Sequence, residues 1–374
     1  MPLSVVSDRA SRRPLLAIVA ILALIAGPGI GAQQTPRYSE RVDVARVIVD
    51  ARVVNDRGDP VLGLTADDFK VSIDGKGARI ETATWVGERD TDTDRSLLLE
   101  GTPLWGAGAL TGPGRLIVFL FQRDLEPSRI IGLMRLLLKG RHFLETLAPN
   151  DRVAMLSFDS HLEIWTDFTS DRERLDRVLA HGLLFERPPT VQASSMPSLV
   201  ERLDPGKGRR TYSIERALEL IGEALGPLPG SKSLVLIGYG FGRFSHIGVT
   251  MERDYVPARH ALVASRTSVF SLDVTEADYH SLEVGLQLIS AETGGFYTRT
   301  HVFPDDAMRR LSGALAGYYV LFVERPESGR ARHTLKLELT RRKGRVLATS
   351  SYSEEGYEPH ADAEHSRAQP KRER

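Results

Sequence analysis

The chain has 374 residues, with 49 basic and 49 acidic side chains and no cysteine. This charge balance argues against a broad electrostatic surface for nucleic acid or an acidic membrane. The lack of cysteine excludes disulfides, thiolate zinc sites and cysteine nucleophiles. The length is sufficient for about two domains, and the hydrophobic fraction of 41% is typical of a globular protein.

The first 32 residues have the features of a secretory signal peptide. Arg12 and Arg13 precede an apolar run from 14 to 26, and small residues then lead to Ala32. A membrane-spanning helix needs about 20 apolar residues, so we predict cleavage near Ala32, with an uncleaved anchor as the alternative. We therefore expect a secreted or periplasmic protein whose mature chain has no membrane span. The pattern leaves open whether export follows the general secretory or the twin-arginine route.

Alternating apolar and polar residues predict β-strands near both ends of the chain. Residues 42–54 form one such segment, and Asp74-Gly75 is a hairpin signal between the next two. Because an isolated hairpin is barely stable in water, the C-terminal segments 333–339 and 345–352 are expected to pair with the N-terminal strands. We predict a small β-sandwich-like domain from 42–86 with 330–352. Residues 87–114 are read as a linker, and 358–374 as a disordered tail.

Residues 115–325 alternate buried-strand and helix patterns. An unbroken apolar run from 116 to 121, directly after Arg115, is followed by an amphipathic segment from 128 to 147, which indicates the first step of a doubly wound α/β sheet. The short link 159–161 forces an antiparallel pair, because a parallel pair needs a crossover of about a dozen residues. The prediction is a Rossmann-like, mostly parallel sheet with one antiparallel edge strand. Its last predicted strand is 318–323.

Two loops of this domain are rich in proline or glycine. Residues 185–210 predict a mobile loop on the ligand face or a poorly ordered insertion. Gly238, Gly240 and Gly242 follow a strand, but a dinucleotide fingerprint needs its third glycine three residues after the second, at the start of a helix. The expectation is a turn on the ligand face.

Several short motifs resemble the von Willebrand factor type A fold, and specifically its exported, acidobacterial-type subgroup. The resemblance covers roughly residues 42–352, and the motifs follow in order. They are Asp56-x-Gly58-x-Pro60, Leu64-Thr-x-x-Asp68-Phe69, Leu147-Ala-Pro-Asn-Asp151, Phe168-Thr-Ser-Asp171, Pro229-Gly-Ser-Lys232, Ala291-Glu-Thr-Gly-Gly295 and Tyr318-Tyr319.

The resemblance implies a place for a metal-ion-dependent adhesion site, but its usual residues are replaced. Gln122 stands in place of the first aspartate, Asp124 and Glu126 in place of two serines, and Tyr239 in place of the second aspartate. Thr190 and Thr211 are the candidates for the usual threonine. Hard oxygen ligands suit magnesium, so a rearranged site on Asp124 and Glu126 is the alternative to a metal-free site.

The sequence gives little support for other kinds of catalytic or binding site. The sequence has no zinc-protease, nucleophile-elbow or phosphate-loop motif, and the histidines are not spaced to share a helix face. Asp273, after a strand, is read as a cap or turn residue. Arg123, Arg243 and Arg253 are hypothesised to form a cationic rim for a partner's carboxylate. Phe241 and Phe244 either add apolar contact area or fold back on the sheet.

We therefore expect an exported protein-protein interaction or adhesion-type module rather than an enzyme. The predicted partner-binding residues are Gln122, Asp124, Glu126, Tyr239 and Arg243. No metal or other cofactor is expected, with magnesium or calcium at Asp124 and Glu126 as the alternative. An unidentified protein is the expected partner, and nucleic acid is not. The alternatives are a hydrolase of the cell envelope and a structural subunit of an exported complex.

Overall fold

The computed structural model describes residues 46–87 and 115–353, apart from 125, 196, 247 and 326–330. The predicted signal peptide, nearly all of the predicted linker and the predicted tail lie outside these residues. Among the residues described, no helix combines the length and the apolar character that crossing a bilayer requires.

A six-stranded sheet forms the centre of the described chain, in the order β12-β11-β8-β5-β6-β7. Every neighbouring pair is parallel except β6 and β7. Its strands are β5 (Leu116–Gln122), β6 (Arg152–Phe158), β7 (Leu162–Thr169), β8 (Lys232–Gly238), β11 (Thr267–Asp273) and β12 (Tyr297–Arg299). The mostly parallel sheet with an antiparallel edge strand is thus confirmed, and β5 is buried along its whole length, as its apolar run predicted.

Helices cover both faces of this sheet. They are α1 (Pro127–Glu145), α2 (Arg172–Arg177), α3 (Leu183–Phe185), α4 (Pro205–Arg209), α5 (Ile214–Leu225), α6 (Tyr255–Ala264), α7 (Glu283–Thr293) and α8 (Pro304–Leu315). A π-helical turn, Val178–Gly182, joins α2 to α3. One apolar cluster joins the sheet to α5, α6 and α7, and a second joins it to α1, α2 and α8. Asp171 and Ser213 cap α2 and α5 by accepting backbone hydrogen bonds.

The remaining strands form two antiparallel sheets and one short hairpin. The sheets run β15-β1-β13-β4 and β16-β14-β2-β3 and share an apolar cluster, while β9 pairs with β10 alone. These strands are β1 (Arg46–Val54), β2 (Phe69–Ile73), β3 (Lys76–Ala78), β4 (Ile80–Gly87), β9 (Arg243–Ser245), β10 (Gly248–Thr250), β13 (Gly317–Glu324), β14 (Arg332–Leu339), β15 (Arg345–Ala348) and β16 (Ser351–Ser353).

Strands from both ends of the described chain pair with each other, because β14 lies beside β2 and β15 beside β1. Asp74 and Gly75 have the positive φ angles of a tight hairpin turn between β2 and β3. That these sheets form a separate β-sandwich-like domain, with the boundaries predicted above, stays a prediction.

One predicted pairing was only partly correct, and another was wrong. The segments 333–339 and 345–352 do not form a continuous hairpin, because β15 pairs with β1 in another sheet, although His333 and Thr334 of β14 pair with Tyr352 and Ser351 of β16. The last predicted strand of the central domain, β13, pairs antiparallel with β1 and β4 instead of joining the central sheet. A buried apolar run shows that a strand is covered on both faces, but it does not identify the strand's neighbours.

The proline-rich segment 185–210 was predicted on the ligand face, and this placement is corrected in part. Its middle is held near the opposite, amino-terminal end of β6, where the buried carboxylate of Asp167 accepts hydrogen bonds from Ser194, Ser198 and Leu199. Further along, Gly208 packs against the carbonyl of Leu162 at the other end of β7. The segment therefore runs along the edge strand β7, and its Leu199 and Leu203 belong to the apolar cluster that joins the sheet to α5.

Candidate functional site

Gln122 closes the point where the strand order reverses, between the carboxyl ends of β5 and β8. Ligands of open α/β sheets bind at this position. The amide of Gln122 is buried; its Nε2 donates to the carbonyl of Gly240 at 2.9 Å, and its Oε1 accepts from the backbone N–H of Tyr239 at 3.2 Å. The side chain of Gln122 thus joins the loop that follows β5 to the loop that follows β8.

Glycines leave the space for this arrangement. A Cβ atom on Gly238 would collide with the Gln122 amide, and one on Gly240 would collide with the carbonyl of Leu282. Gly240 also has a φ of +104°, a conformation that favours glycine. The glycine-rich turn is therefore a close-packed element of the site.

Arg129, in the first turn of α1, pairs with both carboxylates of the loop between β5 and α1. It forms an ion pair with Asp124, and its Nε lies 2.8 Å from Glu126. Its guanidinium carbon lies 4.1 Å from the ring centre of Tyr239, a cation–π distance. Burial, reinforced by Asp124, raises the pKa of the Tyr239 phenol above its ordinary value. This tyrosine is thus neutral at physiological pH.

The groups present do not fit a magnesium or calcium site well. Such ions need six or more hard oxygen ligands. Here the Gln122 oxygen accepts a backbone hydrogen bond, Tyr239 supplies a phenol rather than a carboxylate, and Asp124 and Glu126 face a guanidinium. Neither threonine candidate completes the set: the Thr211 hydroxyl donates to the carbonyl of Lys207, and Thr190 is exposed in the segment that runs along β7.

The hypothesised cationic rim is not formed by Arg123. Both terminal nitrogens of this guanidinium are engaged: one donates to Asp159 at 2.6 Å and to Glu163 at 3.0 Å, and the other to the carbonyl of Leu183 at 3.2 Å. Arg253 is largely exposed beside Asp254. Arg243 is exposed at the start of β9, so Arg243 and Arg253 are the members of the hypothesised rim that are open to a partner.

Exposed aromatic rings stand in the connections at the carboxyl edge of the sheet. Phe185 ends α3 next to the Arg123 contact, Phe244 lies on β9, Tyr279 in the connection after β11, and Phe303 in the one after β12; they are 66–73% exposed. Phe241 folds back into the core, whereas Phe244 remains exposed. Sequence reasoning missed the other three because single aromatics in separate loops form no pattern along the chain.

A buried group of charged and polar side chains occupies the same edge at β11 and β12. Asp273 Oδ2 lies 2.7 Å from His280 Nε2 and 2.8 Å from the Tyr297 hydroxyl, which is also 3.0 Å from Glu283. Arg299 donates to both oxygens of Glu283. Although Asp273, His280 and Glu283 lie close enough to share a metal ion, their oxygens already face several donors. The arrangement is that of a closed hydrogen-bond network.

This network fixes the loop that follows β11. Asp273 accepts from the backbone of Thr275, which agrees with its predicted turn role, and Val274 donates to the carbonyl of Gly238. Burial, together with Asp273 and Glu283, raises the pKa of Tyr297 far above its ordinary value. The spacing along the chain gave no sign of the group, because Asp273, His280 and Tyr297 belong to different elements.

Ser160 and His161 lie in the turn between β6 and β7, and Glu163 lies at the start of β7. Ser160 Oγ lies 3.0 Å from His161 Nδ1, and His161 Nε2 lies 3.2 Å from Glu163. This order of contacts is that of a catalytic triad. However, Ser160 Oγ is also 2.9 Å from Asp159, and the backbone N–H of Ser160 donates to the same carboxylate, so this amide is not available to an oxyanion.

No protein-family model matches the sequence, and the comparison with curated proteins gives no match. Solved structures do match. The chain is similar to a von Willebrand factor type A protein from Catenulispora acidiphila, at 9% identity and a TM-score of 0.39, over 84% of this chain and 76% of that one. It is similar to BatB from Bacteroides thetaiotaomicron, at 17% identity and a TM-score of 0.35, over 54% and 97%.

The von Willebrand factor domain of the type V pili tip protein Mfa5 from Porphyromonas gingivalis is also similar, at 10% identity and a TM-score of 0.37, over 55% of this chain and 95% of that one. At these identities and TM-scores the similarity carries no conclusion about activity, ligand or partner. The fold follows from the strand order and the antiparallel edge strand described above.

Proposed function

We propose that this protein, which has a von Willebrand factor type A-type fold, is an exported module that binds a protein partner without a metal ion. The binding surface is the carboxyl edge of the central sheet, with the loops 122–126 and 238–244 at its centre. The observation that carries the proposal is the set of exposed rings Phe185, Phe244, Tyr279 and Phe303 around that edge. Aromatic side chains are enriched among the residues that dominate binding energy in protein interfaces.

The paired polar groups of the two central loops support the metal-free part of the proposal. Gln122 joins these loops by an amide, and Asp124 and Glu126 face Arg129, an arrangement that does not favour the six or more oxygen ligands of a magnesium or calcium ion. Export rests on the N-terminal sequence pattern, which lies outside the described residues.

Partner capture tests the binding surface. The tagged protein is cross-linked in the envelope fraction of its source organism, and the recovered proteins are compared between the wild type and a Phe244→Ser/Tyr279→Ser variant. Loss of the same partner in the double variant is expected, because two exposed anchors are removed. Leu138→Ser is the matched control, since Leu138 is 62% exposed but lies midway along α1. Equal recovery from wild type and double variant would contradict the proposed surface.

Thermal melting tests metal independence. The expected melting curves coincide in magnesium, calcium and chelator. Stabilisation by several degrees that persists in His280→Ala but disappears in Asp124→Asn would show that a cation binds the loop 122–126. The His280 variant separates that result from binding at the buried group around Asp273.

A hydrolase is the second candidate, and the contacts among Ser160, His161 and Glu163 are the observation that favours it. A fluorophosphonate probe labels activated serines, so labelling of the wild type is compared with Ser160→Ala and His161→Ala. For a binding module we expect no labelling at Ser160. Labelling that both substitutions abolish would support the hydrolase instead.

A further inference from the structure

A cavity of about 500 Å³ opens beside the candidate site, between α1, α3 and the carboxyl end of β5. Pockets that hold small ligands in proteins have volumes of about 300–1,000 Å³. Four aliphatic side chains line it: Ile130 and Leu133 from α1, and Leu183 and Leu184 from α3. The walls therefore favour an apolar stem.

The polar part of the lining consists of Arg123, Asp124 and Asp159. These residues belong to a larger charged group in which two arginines face four carboxylates. Arg123 pairs with Asp159 and Glu163, and Arg129 pairs with Asp124 and Glu126. Negative charge thus exceeds positive charge at the cavity, and His161, beside Glu163, offsets part of the excess only when protonated.

Asp159, one of the carboxylates at the cavity, is ionised at neutral pH. Burial alone would raise the pKa of Asp159, but hydrogen bonds from the backbone and hydroxyl of Ser160 and from Arg123 outweigh it and hold the pKa below its ordinary value. The side chains of Asp124 and Asp159 are 30% and 38% exposed, so an incoming cation can approach both. An incoming anion would meet an arginine whose terminal nitrogens already donate to three acceptors.

We propose that the cavity receives a lysine or arginine side chain of the protein partner. Its aliphatic stem lies along Ile130, Leu133, Leu183 and Leu184, and its charged end reaches Asp124 and Asp159. Lysine and arginine combine an apolar stem with a charged head, which matches an apolar wall with an acidic rim. The inference rests on the proposed function and specifies the chemistry that the partner brings to the edge of the sheet.

Small probes test the chemistry without knowledge of the partner. The protein is labelled at isoleucine and leucine methyl groups and titrated with n-pentylammonium, pentanoate and the blocked amino acid N-acetyl-lysine-N′-methylamide, with binding followed by NMR. The ammonium and the blocked lysine are expected to shift the methyl resonances of the four wall residues. Pentanoate is expected to bind roughly tenfold more weakly or not at all, because its charge meets two carboxylates. Raising the salt concentration should weaken the binding of the cations.

Two neighbouring residues on α1 provide a matched pair of variants. Ile130→Phe fills part of the cavity and is expected to weaken binding of both cations about tenfold. Ile131→Phe adds the same volume at an exposed position outside the cavity and should leave binding unchanged. A thermal melt of both variants shows that each is folded.

Each contrary result has a definite meaning. Equal binding of pentanoate, or cation binding that is the same in Ile130→Phe, would overturn the cavity assignment. Binding of free n-pentylammonium but not of the blocked lysine would overturn the inference of a partner side chain in favour of a free amine. If the probes fail while the Phe244→Ser/Tyr279→Ser variant still loses its partner, the cavity inference fails and the proposed function stands. If the probes bind but the wild type and the Phe244→Ser/Tyr279→Ser variant recover the partner equally, the proposed function fails.

Discussion

Two groups of charged side chains lie on the same edge of the central sheet, and they differ in how completely their charges are compensated. Around Asp273 and Glu283 the carboxylates are buried, and His280, Tyr297 and Arg299 supply donors for them. At the cavity the carboxylates are partly exposed and outnumber their arginines.

The difference follows from the cost of burying charge. An uncompensated carboxylate in the interior is strongly unfavourable. The buried carboxylates of Asp273 and Glu283 therefore need hydrogen-bond donors inside the protein. Water screens the exposed group, which tolerates an excess of negative charge. Charge that remains available to a partner is therefore found where the solvent reaches it, and the buried group serves to hold the loop above β11 in place.

The largest effect is expected from Glu283→Ala. It removes the carboxylate that accepts from Arg299 and one of the two acceptors of the Tyr297 hydroxyl from a buried position, so the free energy of unfolding should fall by about 2–4 kcal/mol. The value lies below that for a fully buried pair because Arg299 is partly exposed and can be hydrated. Urea denaturation measures it, with the exposed Glu145→Ala on α1 as the control, which should change stability by less than about 0.5 kcal/mol. Similar losses in the two variants would show that the network does not support the fold.

An intermediate effect is expected from Gln122→Glu at the boundary between the two groups. A glutamate keeps the length of the side chain but, when ionised, cannot donate to the carbonyl of Gly240, so stability should fall by about 1–3 kcal/mol at pH 7. The protonated acid restores a donor, which raises the folded-state pKa of this glutamate. The stabilising effect of the proton is present at low pH and is lost as the pH rises through that pKa. A loss of stability that is the same at pH 4 and pH 8 would contradict the role of the amide.

The two tyrosines allow a smaller, pH-dependent comparison. Burial raises the pKa of both Tyr297 and Tyr239 above 10.0, but Tyr297 also faces two carboxylates, whereas Arg129 partly opposes the rise at Tyr239. A raised folded-state pKa means that stability is complete below about pH 10 and declines above it. Tyr297→Phe should flatten this alkaline decline more than Tyr239→Phe. Chemical denaturation between pH 8 and pH 11 tests the order, and a steeper dependence on Tyr239 would reverse it.

The smallest effect is expected from Asp124→Asn. This partly exposed carboxylate pairs with Arg129, which keeps Glu126 as a second partner. Surface ion pairs contribute about 0–1 kcal/mol, so denaturation should show a change within that range. The same substitution should nevertheless weaken binding of n-pentylammonium, because it removes one of the charges at the cavity. A large loss of stability would show that Asp124 supports the fold, as the buried carboxylates of Asp273 and Glu283 are expected to do.

The sequence predicted the central sheet well because local residue patterns identify its strands. Leu116 to Phe121 of β5 are all apolar, and the three-residue link before Leu162 is too short for anything but an antiparallel pairing of β6 with β7. The neighbours of β13 were not predictable in the same way. Its apolar residues signal burial, but packing among residues far apart in the chain determines which strands it pairs with.

Part of the candidate site was also visible in the sequence. Gln122 and Tyr239 could be located because they follow two strands directly, and a neutral amide and a phenol are poor replacements for carboxylates. The second role of each residue was not visible. Only the fold shows that the Gln122 amide bonds to the backbone of both Tyr239 and Gly240, and that Arg129 reaches Tyr239 from the start of a helix.

The sequence by itself determined the alternation of strands and helices, the position of the strand ends and the residue types found there, because these depend on local patterns. Tertiary structure decided which charges are paired, which aromatic rings remain exposed and where a cavity opens. Those properties depend on distances between segments separated by up to hundreds of residues, and no local pattern records such distances.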